Sequence, residues 1–252
     1  MNSAPNLINE GEYANVKSSD FRVMSLVGIA HFFSHFYIYL LPPLFPFLKT
    51  ALNVSYTELG LLMAVFSGTT GLTQIPFGFL VDRFGAKFIL IAGLAVEGVA
   101  FSCMGFAPGY PFLVALMFLA GAANGVYHPA DYAILSASVS KTRMGRAFSL
   151  HTFGGYAGFA VAGPVIIFLN STIGWSSGLL LCGIAGIGTA FILMLYSRDL
   201  KHTVRRKNNV IDQKTKNKSS GDSGVKLKKQ NEFMYWSPFI THHKRKLQIN
   251  IQ

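Results

Sequence analysis

Three ionisable side chains lie inside long apolar stretches of the sequence, where such groups need a particular reason to be present. Glu97 lies in the stretch that begins at Lys87, and His31 and His35 share an earlier one. An ionised group in hydrocarbon is costly unless it pairs or faces a cavity. These three residues are therefore the first candidates for a substrate or proton pathway.

Glu97 lies near the middle of a membrane when its depth is counted from Lys87 at about 1.5 Å per residue of helix. One interpretation is a proton-carrying carboxylate, because burial disfavours the charged form. The other is a neutral structural residue held by hydrogen bonds. The sequence does not choose between the two.

His31 and His35 are four residues apart and therefore share one face of a helix. They can relay protons or contact an anion, and packing against helix carbonyls explains them equally well. No third ligand of matching depth can be assigned, so the sequence predicts no metal site. His151, at the start of a later stretch, is expected at the membrane interface.

Four further polar residues lie within or at the ends of apolar stretches. His128 and Asp131, three residues apart, can pair across one helical turn that Pro129 makes irregular. We predict a gating or structural role for this pair rather than contact with substrate. Gln74 and Asn124 are neutral hydrogen-bonding groups suited to a polar cavity wall, or simply to bridging helices.

The elements that must position these residues are six apolar stretches, each near the roughly 20 residues that a helix needs to cross hydrocarbon. They predict an all-α membrane protein with six transmembrane helices. The stretches are Phe21–Leu48, Thr57–Val81, Lys87–Ala107, Phe112–Ala137, Phe148–Leu169 and Ser177–Tyr196.

Lysine and arginine are concentrated in alternate loops and in the tail. Fourteen of the 22 lie from Arg198 onward, and the body is nearly neutral. The positive-inside rule then places both termini in the cytoplasm. The predicted organisation is a polar cytoplasmic N-terminus (1–20), a membrane bundle (21–197) and a basic cytoplasmic tail (198–252). Because the positive charge lies in a tail beside anionic lipid and the body lacks a basic face, the bilayer is the expected partner and nucleic acid is not.

A motif with the spacing of a signature loop follows the second stretch: Gly78, Asp82, Arg83, Gly85 and Lys87. It resembles the cytoplasmic loop of the major facilitator superfamily, in which an Asp beside a basic residue can exchange partners as helices rock. A helix stop with orienting charges is the alternative interpretation. Ala86 is a departure, because the family usually has Lys or Arg at this position.

Later motifs resemble the fosmidomycin-resistance-like branch of the same superfamily. They comprise the segment 121–130, Gly145-Arg146 with its gating arginine, and a glycine-rich fifth stretch that is similar to an antiporter motif. Phe159 stands where that motif would have a glycine. The helix-packing residues of this stretch are Gly154, Gly155, Gly158, Gly163 and Pro164.

The resemblance implies two six-helix halves with the substrate cavity between them. It implies a secondary active transporter that works by alternating access in the cytoplasmic membrane, with proton-coupled drug efflux as one form. Such transport needs no catalytic nucleophile and no cofactor, so we expect no enzyme activity.

The chain contains only the first of these halves. Residues 198–235 resemble the loop that joins the halves, and Trp236–Ile240 resembles the start of a seventh span that stops at once. Truncation or a frame change near Thr241 is therefore expected. The alternative function is a non-transporting membrane fragment, or a helper subunit that pairs with a partner half. A homodimer that rebuilds the cavity is a further hypothesis.

Overall fold

The computed structural model describes residues 10–198 and Leu200, with side chains from Ser18 onward, and every regular element in that part is a helix. The tail and the start of the predicted seventh span lie outside the described residues, as does most of the polar N-terminus. Short 3₁₀ turns occur at Pro42–Leu44 and Lys141–Arg143. The α-helices are α1 (Glu10–Leu40), α2 (Phe45–Leu52), α3 (Tyr56–Phe84), α4 (Ala86–Met104), α5 (Tyr110–Asn124), α6 (Tyr127–Ser138) and α7 (Met144–Leu195).

Helix boundaries follow from local sequence chemistry. Ser55 caps α3 by accepting from the Glu58 N–H at 3.2 Å, while the Glu58 carboxylate accepts from the Ser55 N–H at 2.8 Å. Gly85 separates α3 from α4 with a φ of 95°, a conformation that favours glycine. The turn that the sequence predicts at Gly85 therefore has a positive φ angle.

Among the described residues, four helical segments are long and apolar enough to cross a membrane: Ser18–Leu52, Ala86–Met104, Tyr110–Ser138 and Lys141–Leu195. Helix α3 falls outside this set because its Ser, Thr, Gly and Gln residues lower its hydropathy. The last segment contains a break at Gly174, where φ is 83° and ψ is 156°. Each side of that break is longer than the roughly 20 residues of a spanning helix. The six-span topology therefore stays a prediction.

Close packing of α1 against α7 depends on glycine. A methyl group at Gly154 would meet the Gly28 carbonyl oxygen, and one at Gly158 would overlap the Phe32 carbonyl oxygen. Gly155 faces the rings of His31 and His35 in the same way. Without a hydrophobic drive between helices in lipid, such close backbone contact holds helices together. The α1–α7 contact therefore sets how near the histidines of the two helices lie.

This packing gives a stability prediction. Gly158→Ala should destabilise the bundle by about 1–3 kcal/mol, because the added methyl forces α1 and α7 apart. Gly163→Ala is the matched control, since its methyl would lie 3.7 Å from Pro43 in ordinary contact. Thermal unfolding in detergent measures both variants. Equal melting temperatures for the two would contradict the packing described here.

The first helix is also fixed to the turn before α7 by a buried carboxylate. Asp20 Oδ2 accepts from the Arg143 Nη1 at 3.0 Å and from the Ser140 hydroxyl at 2.7 Å. The Ser140 N–H donates to the same oxygen at 3.2 Å. Both charged side chains are mostly buried, so this ion pair is screened less by water than a surface pair would be.

Candidate functional site

Glu97 lies in the interior of the bundle with no exposed surface. Its Oε1 accepts a hydrogen bond from Asn124 Nδ2 at 2.8 Å, and its Oε2 accepts from the Tyr127 hydroxyl at 2.7 Å. Asn124 Nδ2 also donates to the carbonyl and hydroxyl oxygens of Ser34, each at 3.1 Å. One carboxyl group thereby connects α4 with α5, with α6 and, through Asn124, with α1.

A second buried carboxylate, Asp131, lies between two histidines. Its Oδ2 is 3.0 Å from His151 Nε2 and 3.3 Å from His31 Nδ1. The shorter contact is a hydrogen bond, whereas the longer one lacks hydrogen-bond alignment. The rings of His31 and His151 are stacked with centroids 3.6 Å apart. Asp131 therefore joins α6 to both α1 and α7.

Two more histidines extend this group. The His31 ring centroid lies 4.5 Å from that of His35 and 5.2 Å from that of His128. The His35 ring contacts Phe159 at 4.4 Å, so the residue that departs from the antiporter motif has a partner here. We call His31, His35, His128, His151 and Asp131 the histidine cluster.

The histidine cluster contains buried polar atoms without hydrogen-bond partners among the described residues. They are the Nδ1 atoms of His31, His35 and His128, together with Asp131 Oδ1. Buried polar atoms normally find partners, and each exception requires an explanation. The cluster therefore retains free lone pairs or N–H groups in the interior of the bundle.

A polar cavity of about 320 Å³ adjoins both buried carboxylate sites. Asn124 lies in its wall and donates to Glu97, while His35 and His128 lie in its wall and belong to the histidine cluster. Ten residues line it: Ser34, His35, Ile38, Phe66, Ser67, Thr70, Gly71, Gln74, Asn124 and His128. Among the described residues, the lining contains hydroxyl, amide and imidazole groups and no carboxylate.

The structure brings most of the predicted pathway residues together at this cavity. His35, Gln74 and Asn124 lie in its wall, Glu97 is one hydrogen bond away, and His31 lies behind His35. The predicted pairing of His128 with Asp131 across one helical turn does not form. Asp131 Oδ2 instead contacts His151 and His31, because α6 packs against α1 and α7.

The predicted gating residues of the signature loop lie apart from the cavity. Asp82 and Arg83 are exposed, and Arg83 lies over the Phe84 ring at 5.3 Å. Gly78 has open space around it and Lys87 is half-buried. Arg146 is exposed in the wall of a separate, shallow depression near Ser149.

Sequence reasoning missed several residues that complete these sites. Tyr127 and Ser34 supply hydrogen bonds around Glu97, and no spacing signal connects them to it. His151 is only 3% exposed and contacts Asp131 inside the bundle, while its predicted position at the membrane interface stays a prediction. The signal that could have linked His151 to the site was an imidazole within a glycine-rich stretch. The neighbouring Gly154 and Gly155 allow α1 to approach this part of α7 closely.

The long apolar helices define an integral, multi-pass membrane protein. Residues 27–243 match the Major Facilitator Superfamily, and the chain belongs to that family. The superfamily resemblance of the signature loop is thereby confirmed, while the fosmidomycin-resistance-like branch stays a prediction.

Relatives and solved structures agree with this assignment. The uncharacterized MFS-type transporter YfnC of Bacillus subtilis is 20% identical over 173 residues, covering 69% of this chain and 42% of YfnC. The probable sulfoacetate transporter SauU of Cupriavidus necator is 26% identical over 155 residues, covering 61% of this chain and 36% of SauU.

A solved bacterial homologue of the human lysosomal transporter Spinster, inward-facing and occupied, superposes with a TM-score of 0.63. The identity is 16%, and the match covers 76% of this chain and 47% of that one. This likeness shows the fold. The chain thus spans less than half the length of these two relatives and of the solved structure.

Proposed function

We propose that this chain forms the N-terminal six-span half of a proton-coupled secondary active transporter that works by alternating access. The observation that carries the proposal is the position of Asn124, which lines the cavity and donates to the buried Glu97 carboxyl. A substrate in the cavity and a proton on Glu97 can therefore influence each other through one side chain. Coupling between two ligands requires such a shared element.

A small organic anion is the substrate class that the cavity favours. The wall contains two imidazoles, an amide from each of Gln74 and Asn124, and no carboxylate that would repel an anion. Imidazolium and amide N–H groups donate hydrogen bonds to anionic oxygens. SauU, named as a probable transporter of sulfoacetate, is an organic-anion precedent among the relatives. Efflux of an anionic drug, as the resemblance to the fosmidomycin-resistance-like branch implies, falls within the same class.

The proposed orientation follows the sequence. Loops rich in Lys and Arg lie in the cytoplasm together with both termini, and the host membrane is the cytoplasmic membrane. The proposal includes six crossings, with α3 as the second and the two sides of Gly174 as the fifth and sixth. A complementary half, or a second copy of this chain, supplies the other wall of the cavity.

The alternative is a helper subunit or fragment that inserts without transporting. The observation that favours it is the exposed signature loop, whose Asp82 and Arg83 lie apart from the cavity. In this case the polar cavity would be an interface for the partner half. Asp82 and Arg83, which are exposed here, would then complete their contacts only in the assembled protein.

Transport in proteoliposomes tests the proposal. The purified chain is reconstituted alone, and separately with any six-helix segment encoded directly downstream, and a pH gradient is imposed. Labelled sulfoacetate is the first probe, followed by a panel of small sulfonates, phosphonates and carboxylates. We expect gradient-dependent movement of at least one such anion.

The control is the Gln74→Leu variant, which removes one amide from the cavity wall and leaves the Glu97 contacts in place. It should weaken anion transport, whereas protein-free vesicles should show none. Movement that is absent in both reconstitutions would favour the non-transporting alternative. Anion movement that does not respond to the pH gradient would contradict proton coupling but not transport.

A further inference from the structure

We infer that His31, His128, His151 and Asp131 form a binding site for one divalent transition-metal ion, of the class represented by Zn²⁺. One ring nitrogen of each histidine lies within 4.8 Å of one ring nitrogen of each of the other two. The three come from α1, α6 and α7, so only the folded bundle assembles them. The inference does not depend on transport.

The donor set has the chemistry of a zinc site. Imidazole nitrogens are preferred ligands of Zn²⁺, Co²⁺, Ni²⁺ and Cu²⁺, and a carboxylate oxygen completes many four-coordinate sites. Asp131 Oδ2 already lies 3.0 Å from His151 Nε2 and 3.3 Å from His31 Nδ1. Three neutral imidazoles and one carboxylate would leave a single net positive charge with the ion bound.

Buried polar atoms without hydrogen-bond partners in the histidine cluster favour a bound ion. His31 is 2% exposed and Asp131 has no exposed surface, yet His31 Nδ1 and Asp131 Oδ1 have no hydrogen-bond partner among the described residues. The same holds for His128 Nδ1. An ion coordinated here would use lone pairs that the fold otherwise leaves without a protein partner.

Small side-chain movements complete the coordination. Ligand atoms at about 2.0–2.1 Å from a tetrahedral ion lie about 3.4 Å from one another. Ring nitrogens that lie up to 4.8 Å apart therefore need to close by up to about 1.4 Å, which ring rotation can supply. An entry route exists, because His128 lies in the wall of the polar cavity and is only half-buried.

The packing around the cluster keeps the helices that carry two of the ligands close together. His31 and His151 are held by the close α1–α7 contact, where Gly155 leaves no room for a methyl group beside the His31 ring. The expectation that no metal site exists rested on the lack of a third ligand of matching depth. Tertiary packing supplies that ligand from α6 and another from α7.

Cobalt binding tests the inference. The full chain is purified in detergent with a tag free of histidine, and the tail histidines His202, His242 and His243 are changed to asparagine as a background. After treatment with EDTA, titration with Co²⁺ should give visible absorption that saturates at about one ion per chain. Zn²⁺ should displace the Co²⁺ and abolish the absorption.

Ligand variants define the site within this background. Asp131→Asn and His151→Gln should each weaken Co²⁺ binding by about 100-fold or more, since loss of even an outer partner typically costs 10–100-fold. His35→Gln is the matched control, because it removes a histidine of the same cluster that is outside the ligand set. Circular dichroism and gel filtration confirm that each variant is folded.

X-ray absorption of the Zn²⁺-loaded background protein keeps the inference testable if the variants do not fold. Nitrogen and oxygen ligands at about 2.0–2.1 Å with imidazole scattering are the expected result. A thiolate shell at about 2.3 Å, which would indicate Cys103 or Cys182, would overturn the inference. Equal affinity in Asp131→Asn and the background, or no stoichiometric binding in the background, would overturn it as well.

Discussion

Glu97→Gln is expected to reduce gradient-driven transport strongly while preserving substrate exchange. Glutamine has nearly the same shape, its Oε1 can accept from Asn124, and its Nε2 can donate to the Tyr127 hydroxyl in place of the bonds seen here. It cannot carry a proton. With a coupling free energy of about 1–3 kcal/mol between ligands, substrate accumulation driven by a pH gradient should fall by about 5–150-fold.

Counterflow separates this effect from misfolding. Exchange of labelled for unlabelled substrate needs the cavity and the rocking of the bundle, but no net movement of protons. It should therefore remain close to the wild-type rate in Glu97→Gln. Loss of gradient-driven and exchange transport together, in a folded variant, would assign Glu97 a structural role instead.

A structural role of Glu97 makes a separate prediction for the Glu97→Leu variant. Leucine leaves the Tyr127 hydroxyl and one bond of Asn124 without an acceptor in the interior. Each buried unsatisfied group costs about 1–3 kcal/mol. We expect Glu97→Leu to lower the melting temperature clearly and Glu97→Gln to change it little. Two variants with equal melting temperatures would contradict the hydrogen-bond network around Glu97.

Asp131→Leu is expected to be the most destabilising single change in the bundle, by about 3–5 kcal/mol, the cost of breaking a buried pair. Asp131 has no exposed surface, and its Oδ2 is the only acceptor recorded beside His151 Nε2 among the described residues. Leucine has a similar size, so the expected loss comes from polar contacts among α1, α6 and α7. Thermal unfolding in detergent with EDTA present measures the intrinsic stability of the bundle.

Asp82→Leu is the matched control for this change. Asp82 is exposed at the end of α3, and surface substitutions usually alter stability by less than about 0.5 kcal/mol. The same substitution at the two aspartates thus compares a buried carboxylate with an exposed one. If Asp131→Leu unfolds at the temperature of Asp82→Leu, the contacts of Asp131 with the histidines contribute nothing to stability.

The candidate site was predictable in part. Glu97, His31 and His35 were identifiable because ionisable groups are rare within apolar stretches, and a helical period of 3.6 residues puts His31 and His35 on one face. Asn124 and Gln74 were identifiable as polar groups in the same setting. Their partners Tyr127 and Ser34 were not, because these residues occur for many structural reasons and nothing local connects them to the carboxylates.

The sequence by itself determined the solvent and the family. Apolar stretches near the length of a bilayer crossing, interrupted by charged loops, permit little other than a helical membrane protein. The loop from Gly78 to Lys87 indicated the superfamily that the match over residues 27–243 then established. These properties are local, since each depends on neighbouring residues along the chain.

Only the tertiary structure decided which polar groups meet. Asp131 lies three residues from His128, yet its Oδ2 contacts His31 and His151, which are 100 and 20 residues away. Glycines at positions 154, 155 and 158 let α7 approach α1 until those rings stack. Helical spacing fixes which face a residue occupies, but the distance between two faces depends on how all the helices pack, and that distance determines the chemistry of the cluster.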